Sequence, residues 1–289
     1  MWISRLLPLA FGMLALALPC GAQTASGIHI EAVTLHDYGS DEAAILALPI
    51  QPPKAAALLL PDALGSRAVV EQRCVLLARM GYLALALDLY DGQETTDPAE
   101  AARLAQRLDS ARAGKAILAA FRLLLDSPRY RSSSVLIAAW DPHIPHLAEA
   151  LDQQPERLSH IPLLSVIEAG TGSLGILQNR PWPLQFIVRT AGAPARRPAS
   201  SAPGILPYNL FDAPAGFMLD ASDPPAAVEA WSLMLDAWNR RLEGQPVAPL
   251  APLPSPAAPA ADTLETQPAT PASPPARPPS KPLHPRLAR

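Results

Sequence analysis

Between residues 28 and 242 the chain alternates short, uninterrupted apolar runs with longer stretches whose apolar positions recur every three or four residues. Residues 55–60 (AAALLL) and 82–87 (YLALAL) carry no polar position at all, and 134–139 (SVLIAA) carries one at its start. Strands exposed on one face alternate. Continuous runs of this length predict strands buried on both faces, hence a parallel sheet with helices on each side. Residues 28–33 and 43–48 predict a leading antiparallel pair, and 163–167, 184–188 and 208–211 further strands. The strands around Leu58, Leu85 and Val135 are expected to be adjacent, parallel and central.

The helical stretches carry their own punctuation. Residues 66–80 place Val70, Cys74 and Leu77 on one face, and Gly81 follows as a stop. Asp97, Pro98 and Glu100 read as a helix start resembling a capping box. That helix runs through Leu104, Leu108, Ile117, Ala120, Leu123 and Leu124, with a break expected near Gly114. Another helix opens at Pro145. The closing one runs from Asp223-Pro224 to Leu242 with Val228, Trp231, Leu235 and Trp238 inward. Alternation of this kind predicts an α/β fold with a doubly wound, mostly parallel sheet and right-handed crossovers.

Composition changes the picture at the two ends. Residues 1–22 have one early charge at Arg5, an apolar core, and Cys20-Gly21-Ala22 as a small-x-small site. This is the pattern of a secretory signal, so a periplasmic or secreted protein beginning at Gln23 is expected. The apolar run is too short to favour an uncleaved membrane anchor, and Pro19 argues against lipidation at Cys20. Only Cys74 then remains, which excludes an intramolecular disulfide; its helical face makes it a core thiol. Residues 245–289 hold 14 of the 35 prolines. Such a tail cannot bury enough apolar surface to order itself. Its basic end (Arg277, Lys281, Arg286, Arg289) is either simply solvated or a contact to an anionic envelope surface. Residues 23–244 form the one folded domain. A formal net charge of −3 gives no case for nucleic acid.

Residues 58–65 (LLLPDALG), 78–92 (ARMGYLALALDLYDG) and 97–102 (DPAEAA) resemble the dienelactone hydrolases, a family of the α/β-hydrolase superfamily. The resemblance implies an α/β-hydrolase-type sheet and hydrolysis of esters or lactones. It also implies an acidic residue after the first core strand, a Cys or Ser nucleophile after the next family strand, an Asp after a later one, and a His before the last helix. Asp62 stands at the first of these places, although an Asp at a strand end also caps turns. The nucleophile belongs on a strained strand-to-helix elbow flanked by small residues. There the chain has Trp140, which cannot attack an ester. One residue on stands Asp141, followed by Pro142, which has no N–H to offer an oxyanion. The place of the acid reads Arg189-Thr190-Ala191-Gly192-Ala193-Pro194. Ala215 replaces the His, and no histidine occurs between His160 and His284.

The chain therefore matches the family in frame and not in chemistry. Asp62, Asp141 and His143 remain as candidates for a relocated catalytic site. Asp62, Trp140, Asp141 and His143 are expected to line a pocket able to hold a small-molecule ligand. Asp141, His143 and His146 form D-x-H-x-x-H, a spacing that serves a metal or a base but is common at helix starts without either; no metal or cofactor is expected. Ser132, Ser133 and Ser134 lie at the wrong end of their strand for catalysis, and His29 and His36 have no evident partners. The sequence favours an exported, non-catalytic binding or scaffolding module. The alternatives are an active ester or lactone hydrolase using Asp141 and His143, and an envelope protein acting through its Pro-rich tail. Oligomeric state is not legible.

Overall fold

A computed structural model describes residues 23–25, 27–64, 67–168, 171–177, 180–189, 209–211 and 213–244. The expected signal segment, the Pro-rich tail, Tyr208 and residues 190–194 lie outside the described residues. Among the described residues nine strands form one sheet: β1 (Gln23–Ala25), β2 (Ile28–Thr34), β3 (Ala43–Leu48), β4 (Ala55–Leu60), β5 (Tyr82–Asp88), β6 (Val135–Trp140), β7 (Leu164–Ile167), β8 (Leu184–Arg189) and β9 (Asn209–Phe211). Their order is β1-β2-β3-β5-β4-β6-β7-β8-β9. β1, β2 and β3 are antiparallel, as is the β3–β5 pair, and everything from β5 to β9 is parallel. Leu58 of β4 stands opposite Leu85 on one side and Ile137 on the other. The three apolar runs are thus the adjacent, central, parallel strands that their composition requires.

Period-two geometry divides those strands between two cores. Leu58, Leu60, Leu83, Leu85, Val135 and Ile137 meet α3 (Ser110–Asp126) and α4 (Ile144–Gln153) on one face. Ala57, Leu59, Tyr82, Ala84, Leu136 and Ala138 meet α1 (Arg67–Arg79) and α6 (Pro225–Leu242) on the other. Half of the second set is alanine, and Trp231 and Trp238 of α6 pack in the same cluster. α2 (Pro98–Arg107) and α5 (Thr171–Leu177) complete the described helices.

Several local expectations need correction. Asp97 caps α2 by accepting from the Ala99 amide, but Glu100 does not return to the cap; it pairs with Arg103 and Arg107. The helix break falls at Leu108, where Asp109 caps α3 through the Arg112 amide, and Gly114 is buried inside α3. A new cap stops a helix more firmly than an interior glycine, which costs only about 1 kcal/mol. Val228 is 56% exposed, and Ala227, Ala230, Met234 and Ala237 share the buried face of α6 with the two tryptophans and Leu235. His36 lies in a 3₁₀ turn beyond β2, 2.6 Å from Asp41, and His29 is 3.4 Å from Glu31. Cys74 is buried, and burial pushes its thiol up to about 12, so it is a core thiol. Among the described residues no helix is long and apolar enough to cross a membrane.

Candidate functional site

The chain leaves β4 to build β5 on one side, then returns across β4 to build β6 on the other. That reversal opens a crevice at the C-terminal ends of β4 and β6, the usual ligand position in such sheets. A cavity of about 200 Å³ lies there. Asp62 and Leu64 enter it from the turn after β4, and Trp140, Asp141 and Pro142 from the turn after β6. Glu168 follows β7, Ala215 and Gly216 precede α6, and Pro98, Ala101, Ala102 and Ala105 of α2 complete the wall.

Asp62 is buried, and its Oδ1 accepts the Leu64 amide at 3.1 Å, an Asx-type turn. It also borders a second, smaller cavity of about 40 Å³ shared with Tyr90, Asp88 and Arg67. Burial and, secondarily, the Asp62 charge hold the Tyr90 phenol well above its ordinary pKa.

Trp140 is 1% exposed and packs against Trp231 with ring centroids 6.4 Å apart. Its Nε1 has no hydrogen-bond partner. The backbone at Trp140 (φ −80°, ψ 155°) is ordinary extended chain. Asp141 is not among the described non-glycine residues with positive φ, which are Asp91, Glu168 and Asp223. A relaxed 3₁₀ turn, Asp141–His143, therefore leads from β6 into α4. The strain with which a nucleophile elbow holds its side chain out is missing at this turn.

Three of the four residues expected to share a pocket do so; His143 does not. It is completely buried beneath the turn, with Nε2 3.4 Å from the Tyr90 hydroxyl. Burial, with His146 as a second cause, pushes its imidazole down to about 3, which makes it a poor proton acceptor at neutral pH. His146 is lowered as well, through desolvation, with its ring centroid 6.4 Å from that of His143. Among the described residues no group of three or more His, Cys, Asp or Glu is placed to hold a metal ion.

The depressed imidazole has a consequence for stability. Below the usual value of 6.5 the unfolded chain takes up a proton that folded His143 refuses until about pH 3. Its contribution is present above 6.5 and lost on acidification through that window. Urea denaturation at stepped pH should show the advantage of wild type over His143→Gln shrinking as the pH falls.

Glu168 escaped the sequence reasoning, which looked for an acid only after β8. The signal was an acid directly after the apolar run at 163–167. Both of its carboxylate oxygens accept the Gly216 amide at 3.0 Å. Gly216 has φ +72°, and an added Cβ would stand 2.6 Å from Leu64 Cδ1 and 2.9 Å from Asp62 Oδ2. Gly216→Ala should cost about 1–3 kcal/mol, from left-handed strain together with this clash; a thermal melt checks it.

The comparisons with known proteins agree with this frame. Residues 43–138 match the model of the dienelactone hydrolase family. Over these residues the chain is similar to that family. The match runs from β3 into β6 and ends at Ala138, so it includes Asp62 and stops before Trp140. Among solved structures, one named as a dienelactone hydrolase of Klebsiella pneumoniae is 16% identical, with a TM-score of 0.58 over 74% of this chain and 99% of that one. One named m3DLH is 16% identical, with a TM-score of 0.56 over 74% and 98%. A dienelactone-hydrolase-like promiscuous phosphotriesterase from metagenomic libraries is 16% identical, with a TM-score of 0.50 over the same shares. At such identities the likeness is one of fold. No curated protein matches the chain.

Proposed function

We propose that this dienelactone-hydrolase-like chain is a non-catalytic binding module, exported through its first 22 residues, whose cavity holds a small ligand without cleaving it. The carrying observation is the turn after β6: it is unstrained and presents a buried tryptophan where the family resemblance puts a nucleophile. Other features support the same reading. Pro142 has no N–H for an oxyanion, and Ala215, at the place of the family's histidine, lines the same cavity. No histidine lines it among the described residues. A cavity of about 200 Å³ is below the usual range for drug-sized ligands, so the ligand is small. The basic Pro-rich tail is proposed as a contact to an anionic envelope surface.

A screen of small aryl esters and lactones with the mature protein, beside Asp141→Ala and His143→Ala, tests the reading. The expected result is no saturable hydrolysis by any of the three. Robust turnover abolished by either substitution would establish the relocated site instead. Mass spectrometry of the exported protein should find Gln23 at its N-terminus; a lipid-modified Cys20 would make it membrane-anchored.

A further inference from the structure

We infer that Glu168 is a latch: its carboxylate clamps the Ala215–Gly216 turn onto the turn after β4, and this part of the cavity wall opens as one local unit when that contact breaks. The backbone of Glu168 is fixed, since its amide donates to the Ile187 carbonyl of β8 at 2.8 Å. It is held at φ +56°, a conformation that disfavours side chains other than glycine's. Strain of this kind persists only where the surroundings impose it, and it collects at clamps and switch regions. Here it aims the side chain across the crevice, where both oxygens take the Gly216 amide.

The other end of the contact is equally specific. Gly216 is buried with φ +72° and presses so closely on Leu64 and Asp62 that no Cβ fits. A residue after β7 thus closes a turn before α6 onto the turn after β4, and all three borders face the cavity. The bond joins two short connections rather than two regular elements, so it opens at a lower free energy than the sheet does. The inference rests on the cavity and not on whether catalysis is lost, so its test needs no ligand and no turnover.

Amide exchange of the full mature protein, read by NMR or mass spectrometry, makes that test with Glu168→Gly and Glu168→Gln. Glycine removes the carboxylate and relieves the strained φ; glutamine keeps one carbonyl acceptor. Exchange across residues 213–219 should accelerate roughly tenfold or more in Glu168→Gly, with β4 and β6 unchanged, and much less in Glu168→Gln. The fluorine resonance of fluorotryptophan-labelled Trp140 should show a larger H2O/D2O solvent-isotope shift in Glu168→Gly. Unchanged protection at 213–219 would overturn the latch. So would a loss spread evenly over the sheet, because Glu168 would then be core support only.

Discussion

Trp238→Ala should destabilise the protein by about 3–5 kcal/mol, the range for removing a large buried aromatic. Trp238 is fully buried, meets Tyr82 edge-on at 5.7 Å, and donates Nε1 to Ser165 Oγ at 2.9 Å. Ser165 in turn donates to Gln185 Oε1 at 2.9 Å, and Gln185 reaches the Leu233 carbonyl at 3.4 Å. One indole therefore ends a polar chain joining β7, β8 and α6 inside an apolar layer. Such a chain stabilises only while every member is satisfied. Trp238→Phe should accordingly cost about 1–3 kcal/mol, because it leaves the Ser165 acceptor unfilled. Chemical denaturation of the two variants checks both values.

Trp140 should behave differently under the same pair of substitutions. Trp140→Ala removes a side chain as buried as that of Trp238 and should also cost about 3–5 kcal/mol. Trp140→Phe deletes an indole N–H that has no partner, and releasing a buried unsatisfied donor returns about 1–3 kcal/mol. That gain offsets most of the lost packing, so Trp140→Phe should remain within about 1 kcal/mol of wild type. A Trp140→Phe as costly as Trp238→Phe would mean that the Trp140 indole makes a polar contact of its own.

The central sheet was legible because its strands are apolar without interruption, and only a two-sided core demands that. The tryptophans of α6 were legible from helical periodicity, and the leading antiparallel pair from two short strand-like runs at 28–33 and 43–48. The inward set of α6 was misjudged at Val228 because a hydrophobic side chain gives no sign of which edge of a buried stripe it occupies. The polar chain of Ser165 and Gln185 was passed over, since its members are isolated polar letters whose partners are far away in sequence. Asp62, Trp140 and Asp141 were picked out because they follow strand ends, and all three border one cavity. Whether His143 faced the cavity or the core depended on the 3₁₀ turn at 141–143, which aims the ring at Tyr90; spacing alone does not encode that turn. Glu168 required knowing that β7, rather than β8, ends opposite the turn before α6.

Stopped-flow mixing of the protein with an excess of a small aryl ester tests the proposed loss of chemistry most directly. A covalent nucleophile announces itself as a burst of released phenol approaching one equivalent per chain. The relaxed turn at Trp140 and the buried, weakly basic His143 predict no burst and a release rate that rises linearly with ester concentration. A burst that saturates with ester and disappears in Asp141→Ala would contradict the account.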